Sequence, residues 1–245
     1  MTRLNGKIAI VIGAGRGIGR ATAKLFAAEG AKVAALSLTQ ANIDAVVTDI
    51  EDQGGTALGV PCDVSDAGQI REAVAKVVQT WGGVDILVNN AFDPAAVFSP
   101  VIDLTAEQLQ RNFDLGPVAY LRTMQACYPY LKASGEGRVI NLASAGGLLG
   151  MTGYAPYGMA KEAVRALTRV AAREWGADRI TVNNVMPIAD TFGSDRPPLP
   201  NVLDRNGSPE DDIAPVLLFL ASKDAQFITG YSLTPDGGMV IDAAR

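Results

Sequence analysis

Short apolar runs recur along the chain, separated by segments in which the apolar positions change their period. The runs fall at Ile8–Ile12, Lys32–Leu38, Ala57–Pro61, Ile86–Asn89, Val139–Leu142, Ile180–Met186 and Ser232–Thr234. In Gly17–Ala28, by contrast, Ile18, Ala21, Leu25 and Ala28 return at helical spacing, and Gly30 suits the left-handed position just past a helix end. The same reading predicts helices over Gln40–Gln53, Ala67–Trp81, Ala106–Ser134, Tyr157–Gly176 and Glu210–Ala221. Strands alternating with amphipathic helices build βαβ units, hence a parallel sheet with helices on both faces. Right-handed crossovers then give a doubly wound α/β sheet whose ligands lie at the carboxyl ends of the strands. No internal repeat or low-complexity linker interrupts the pattern, which predicts one domain over residues 1–245.

Two constellations stand out against this background. The first is Gly13-Ala-Gly15-Arg-Gly17-Ile-Gly19, lying between the first strand and the first helix. Glycines there allow the backbone to approach a pyrophosphate, and the free N–H groups and positive dipole end of the helix face the anion. The second is Tyr157 with Lys161 at i, i+4 and Ser144 thirteen residues upstream. A helix begun at Tyr157 puts both side chains on one face. A phenol titrates at about pH 10 in water, and a neighbouring ammonium lowers that value, which makes tyrosine a usable general acid or base.

These residues resemble the short-chain dehydrogenase/reductase family, in its branch of single Rossmann-like domains. Gly13, Gly17 and Gly19 match that family's G-x-x-x-G-x-G; Asp63-Val64 matches its adenine-side Asp-Val; Asn89-Asn90-Ala91 matches the start of its N-N-A-G. Ser144, Tyr157 and Lys161 match the catalytic serine and the Y-x-x-x-K, and Ser208-Pro-Glu210 with Pro235-Asp-Gly-Gly238 resembles the C-terminal segment. The resemblance implies hydride transfer between a nicotinamide dinucleotide and a carbonyl or secondary alcohol. Tyr157 would be the acid/base, Ser144 would hold the reacting oxygen, and Lys161 would hold the nicotinamide ribose and lower the tyrosine pKa. It further implies cofactor contacts from Gly13, Arg16, Gly17, Ile18, Gly19, Ser37, Asp63, Val64, Asn90, Ala91, Pro187 and Thr191, a substrate-covering segment over 191–209, and a homotetramer.

Composition narrows the chemistry. The chain of 245 residues is 48% hydrophobic and 19% charged, and no stretch reaches the roughly 18 consecutive apolar residues of a membrane span. Its start lacks the apolar core of a secretory signal, which predicts a cytoplasmic location. With a net charge of −5 and no long basic run, no nucleic-acid surface is expected. Cys62 and Cys127 sit beside apolar or aromatic stretches and read as reduced core thiols. The chain has no histidine, which excludes Ser-His-Asp hydrolysis and histidine zinc sites, and no metal is expected. Proton transfer falls to tyrosine, lysine or a carboxylate.

Cofactor choice rests on the residue after the second strand, where a carboxylate would bind the NAD 2′-hydroxyl and repel the NADP phosphate. That place falls on Ser37, and Arg16 is available to a 2′-phosphate, so NADP is favoured over NAD. Phe92, Phe98, Leu148, Met151, Tyr154 and Phe192 are expected to line an apolar pocket for a small-molecule or carrier-bound substrate.

The chain departs from the family pattern at three places. Phe92 replaces the glycine of N-N-A-G, Pro187-Ile188 replaces a Pro-Gly with Thr191 one residue early, and Gly116 falls where an active-site asparagine is expected, with Asp114 and Asn112 nearby. These departures motivate a competing reading, a dinucleotide-binding protein with little catalysis that acts as a sensor or partner subunit. Retention of Ser144, Tyr157 and Lys161 argues for the enzyme.

Overall fold

The computed structural model describes residues 2–191 and 199–241, apart from the Ala96 side chain. Seven strands, β1 (Ile8–Ile12), β2 (Lys32–Ser37), β3 (Thr56–Pro61), β4 (Ile86–Asn89), β5 (Arg138–Leu142), β6 (Thr181–Val185) and β7 (Ser232–Leu233), form one parallel sheet in the order β3-β2-β1-β4-β5-β6-β7. The strand order reverses between β1 and β4. Crossovers there run to opposite faces and leave a crevice beyond the strand ends, the expected place for a ligand.

Period-2 alternation along β1 divides the core between the two faces. Ile10 and Ile12 pack with Val74 and Val77 of α3 (Ala67–Trp81), Met124 and Leu131 of α5 (Ala119–Ser134), and Val164 of α7 (Ala155–Trp175). Ala9 and Val11 point the other way, toward Phe26 of α1 (Gly17–Ala28), Val46 of α2 (Gln40–Glu51) and Leu217 of α8 (Ala214–Ala221). Strands β4, β5 and β6 are buried at every position. That is why they read as continuous apolar runs rather than as alternating ones.

A polar ladder crosses this otherwise apolar centre. Thr123 donates to Asn89 at 2.7 Å, Asn89 to Asn141 at 2.9 Å, Asn141 to Thr168 at 2.9 Å, Thr168 to Asn184 at 2.7 Å and Asn184 to Ser232 at 3.2 Å. The strand members are direct neighbours in register across β4 to β7. Pairing along the chain of amides offsets the cost of burying them.

Local signals explain several element ends. Asp66 caps α3 by accepting from Gly68 N and Gln69 N, and Gly82 closes it in the left-handed region at φ 92°. Thr105 and Gln108 form a reciprocal capping box on α4 (Ala106–Phe113). The helix expected over Ala106–Ser134 is in fact two, α4 and α5, joined by a wide π-type turn at Asp114–Val118. Pro117 lacks the N–H that a continuous helix needs, and Gly116 adopts φ −102°, ψ −108°, outside the helical well. A short α6 (Ala145–Leu148) follows β5, and its Gly146-Gly147 pair gave no helical signal in the sequence.

Candidate active site

A cleft of about 1270 Å³ opens at the carboxyl ends of the strands, and both sequence constellations line it. The glycine turn occupies one end. Gly13 and Gly17 take φ +73° and +52°, which side-chain-bearing residues rarely adopt. A Cβ on Gly15 would lie 2.9 Å from Asn42 Cβ and 2.9 Å from Ser37 Oγ. The first turn of α1 carries no acidic residue, and its N-cap, Arg16, makes no side-chain capping bond, so its N–H groups remain available. A close backbone cradle opening onto a helix start is what a dinucleotide pyrophosphate requires, so the residues present fit that group.

Most of the expected cofactor contacts meet here. Gly13, Arg16, Gly17, Ile18, Ser37, Asp63, Val64, Asn90, Ala91, Pro187 and Thr191 all line the cleft. Gly19 does not. It lies behind the turn, where a Cβ would come 2.1 Å from Gly13 O and 2.7 Å from Asn90 Nδ2, so its smallness serves helix-to-turn packing. Asn90 borders the cleft, but its side-chain amide donates to Gly13 O at 3.0 Å and braces the turn. Asp63 Oδ1 accepts from Ser65 N at 2.9 Å and Ser65 Oγ at 2.7 Å, shaping the wall beside it. Thr191 sits over the turn, with Cγ2 3.3 Å from where a Gly17 Cβ would be.

Leu38, Thr39 and Asn42 complete the wall beyond Ser37, a part of the site that no motif marked. Leu38 and Thr39 come from the β2–α2 connection, which local composition presents as an ordinary loop, and Asn42 from the first turn of α2. No carboxylate stands at the end of β2, and Arg16 is exposed on the same wall.

Tyr157, Lys161 and Ser144 converge at the other end. The α7 helix begins two residues before Tyr157, with Pro156 in its first turn. Ser144 leaves β5 as the N-cap of α6, its Oγ accepting from Gly146 N at 3.1 Å. Burial pushes the Tyr157 phenol up to about 12; a hydrogen bond with Ser144 pulls it down, and Tyr154 pushes it further up. Lys161 is 3% exposed, and burial brings its ammonium down to about 7. Its Nζ donates to Leu142 O at 2.6 Å and to the Tyr120 hydroxyl at 3.3 Å. It lies 5.5 Å from the Tyr157 ring centroid. The expected lowering of the tyrosine by the lysine is therefore not found here, because both groups are desolvated and the lysine's donors point at Leu142 and Tyr120.

Aromatic side chains wall the space beyond Tyr157. The Phe98 and Tyr154 rings meet edge-on at 4.6 Å, while Phe92 and Tyr154 lie 6.2 and 6.3 Å from Tyr157. Backbone pairing supports this wall, with Ser99 N donating to Gly153 O at 2.8 Å. Met151 also lines the cleft, whereas Leu148 turns away and packs against the core. Phe192 and the rest of 192–198 lie outside the described residues; from the remainder of 191–209, Thr191, Leu199 and Asn206 reach the cleft.

The departure at Ile188 has a structural counterpart. Its N–H donates to Pro235 O and its carbonyl accepts from Gly207 N, each at 3.1 Å, so neither faces the cleft as a free group. Among the described residues no cluster could hold a metal, and no helix is long and apolar enough to cross a membrane.

A nucleotide cradle at the switch point of a doubly wound sheet, with serine, tyrosine and lysine at its far end, defines a dinucleotide-dependent oxidoreductase site. Comparison with known proteins agrees. The family profile described as enoyl-(acyl carrier protein) reductase matches residues 13–240. A 12alpha-hydroxysteroid dehydrogenase of a Clostridium species is 36% identical, covering 96% of this chain and 97% of its own. The 3-oxoacyl-acyl-carrier-protein reductase FabG of Thermotoga maritima is 34% identical, covering 98% and 100%. Among solved structures, a dehydrogenase/reductase from Sinorhizobium meliloti superposes with a TM-score of 0.89 at 34% identity, covering 97% of this chain and 96% of that one. The chain belongs to the short-chain dehydrogenase/reductase family and is a hydride-transfer oxidoreductase acting on carbonyl or alcohol groups.

Proposed function

We propose that Tyr157 is the general acid/base, that Ser144 holds the reacting oxygen, and that NADP is the preferred cofactor. The observation that carries this reading is the meeting of the glycine cradle and the Ser144, Tyr157, Lys161 set in one cleft. The bound dinucleotide supplies or accepts the hydride. Tyr157 gives its proton to the carbonyl oxygen in reduction and takes it back from the alcohol in oxidation. Its burial keeps the phenol protonated at neutral pH, which suits the acid role. Ser144, at hydrogen-bond range of Tyr157, stabilises the charge that develops on the same oxygen. Lys161 offers donors for ribose hydroxyls beside Tyr157. The absence of a carboxylate after β2, with Arg16 exposed nearby, supports NADP over NAD.

The cleft wall supports an uncharged ring-bearing ketone or alcohol as substrate. Phe92, Phe98 and Tyr154 offer ring faces and edges, and Asp93, Glu107, Asp114 and Asp190 also line the cleft, with Arg111 held by Asp93 at 2.5 Å. That charge balance disfavours the phosphate of a carrier-bound acyl group. Self-assembly into a tetramer fits the exposed Met159 and Val170 of α7 and Phe227, which is 99% exposed. The buried free thiols Cys62 and Cys127 fit a cytoplasmic setting.

The test is turnover of a panel of cyclic and linear ketones with NADPH and NADH, by wild type and Tyr157→Phe. The variant is expected to bind dinucleotide normally and to lose about 10²–10⁴-fold in kcat. Equal turnover by both proteins would remove Tyr157 from the chemistry.

A further inference from the structure

We propose that Tyr120 is a positioning residue for Lys161, offering its hydroxyl from α5 as an acceptor to the lysine. The inference rests on the proposed role of Lys161, and its geometry stands independently of any substrate.

At the Asp114–Val118 turn the chain has Gly116 rather than asparagine, and a Cβ there would meet only Ala160 Cβ, at 3.6 Å. The space left between Gly116, Ala160, Tyr157 and Lys161 amounts to about 10 Å³. The helix break therefore brings no polar side chain of residue 116 to the lysine. One helical turn further along, Tyr120 brings its hydroxyl to within 3.3 Å of Lys161 Nζ.

Its ring is fully buried, with Nζ of Lys161 5.2 Å from the ring centroid and 3.3 Å from the hydroxyl. The hydroxyl hydrogen has a partner of its own, since Ala91 O and Leu142 O both lie 3.3 Å away. Two lone pairs on that oxygen are then free to accept from Lys161. Together with Leu142 O this gives the ammonium two fixed acceptors in a region that is otherwise desolvated, and the third N–H is left for the cleft. The two carbonyls involved belong to Ala91, in the loop after β4, and to Leu142, the last residue of β5. Tyr120 thus ties the lysine to the strand ends that form the floor of the cleft.

The other groups facing Lys161 set the background for its titration. They include Tyr157 on its own helix and the Leu142 carbonyl from β5; Asp93 and Asn112 line the small space under Gly116 with it, and Asp114 lines the larger cleft. The phenol of Tyr120 is pushed far above its ordinary range by burial, so it stays neutral and acts as a dipole that accepts from a cation.

The experiment follows the side-chain Cε signals of 13C-labelled lysine by NMR against pH, with Lys161 assigned by its loss in Lys161→Met. In Tyr120→Phe the ring and its packing stay while the acceptor goes, so the charged form of Lys161 loses support. The midpoint is expected to fall by about one pH unit, a tenfold change in protonation equilibrium. Thr123→Val, which perturbs the same helix by removing the bond to Asn89 without touching Lys161, is expected to lower thermal stability and leave the midpoint in place. An unchanged midpoint in Tyr120→Phe, or the same shift in both variants, overturns the proposal. Because this readout needs no turnover, wild-type inactivity on the ketone panel would count against the proposed function alone.

Discussion

The Asn90 side chain donates to the carbonyl of Gly13 across 3.0 Å, joining the end of β4 to the first glycine of the turn. Gly19 presses on the same carbonyl from the helix side. The turn is therefore clamped between a strand end and a helix before any ligand arrives, and preorganisation of this kind reduces the cost of binding. Gly19→Ala would drive a methyl to 2.1 Å from Gly13 O. The expected result is a loss of about 2–3 kcal/mol in urea unfolding, with weakened dinucleotide binding. Asn90→Ala should cost less stability, about 1 kcal/mol, while still raising the dinucleotide Kd several-fold by fluorescence titration.

Arg16 decides cofactor preference if the 2′-phosphate lies beside it. Arg16→Ala should weaken NADPH about tenfold or more and leave NADH nearly unchanged. Equal losses for the two dinucleotides would assign Arg16 to the pyrophosphate or to solvent instead.

Lys161 makes stability depend on pH with a definite sign. Its folded-state midpoint, about 7, lies below the ordinary 10.5. Between those values the unfolded chain holds a proton that the folded chain lacks, so stability rises with pH across the window, is fully present above it, and is lost as pH falls toward 7. Lys161→Met should remove this slope and be the more stable protein near pH 7, by on the order of a few kcal/mol in denaturant titrations. The comparison belongs below about pH 9, where Cys62 (raised to about 11), Cys127 and Tyr157 (each raised to about 12) do not yet contribute their opposite trend. Identical slopes for wild type and variant would show that the buried amine is hydrated or paired.

Phe92 stands where the family has a glycine, and its ring lies 6.2 Å from that of Tyr157. Phe92→Gly should widen the space beside Tyr157 and raise kcat/KM for bulkier ketones relative to small ones. A uniform fall across substrate sizes would mean that the ring serves packing rather than selection.

The strands and the two site motifs were legible in the sequence for identifiable reasons. Buried parallel strands must be apolar on both faces, so β1, β4, β5 and β6 announce themselves to within about a residue of their ends. Tyr157 and Lys161 share a helix, and a spacing within one helix survives folding unchanged. What was not legible depends on contacts between distant segments. Tyr120 meets Lys161 only because α5 restarts after the break at Gly116-Pro117, a break hidden inside a stretch with helical periodicity. Leu148 was expected in the pocket and faces the core because α6 turns it inward. Gly19 was expected at the cofactor, and its role in packing emerges only from its distance to Gly13. The polarity of Asn89, Asn141 and Asn184 gave no warning that the three amides were neighbours.

That row of amides works as a ruler for the site. Asn89 directly precedes Asn90, Asn141 lies three residues before Ser144, and Asn184 three before Pro187. A strand slipped by one residue would turn its amide toward the opposite face and strand the partners' donors and acceptors among aliphatic side chains. Mis-registered sheets are thereby penalised at each of three adjacent strands, which fixes where Asn90, Ser144 and Pro187 leave the strand ends. The precision of the chemistry at the surface is thus set one layer down, by residues that never meet a ligand.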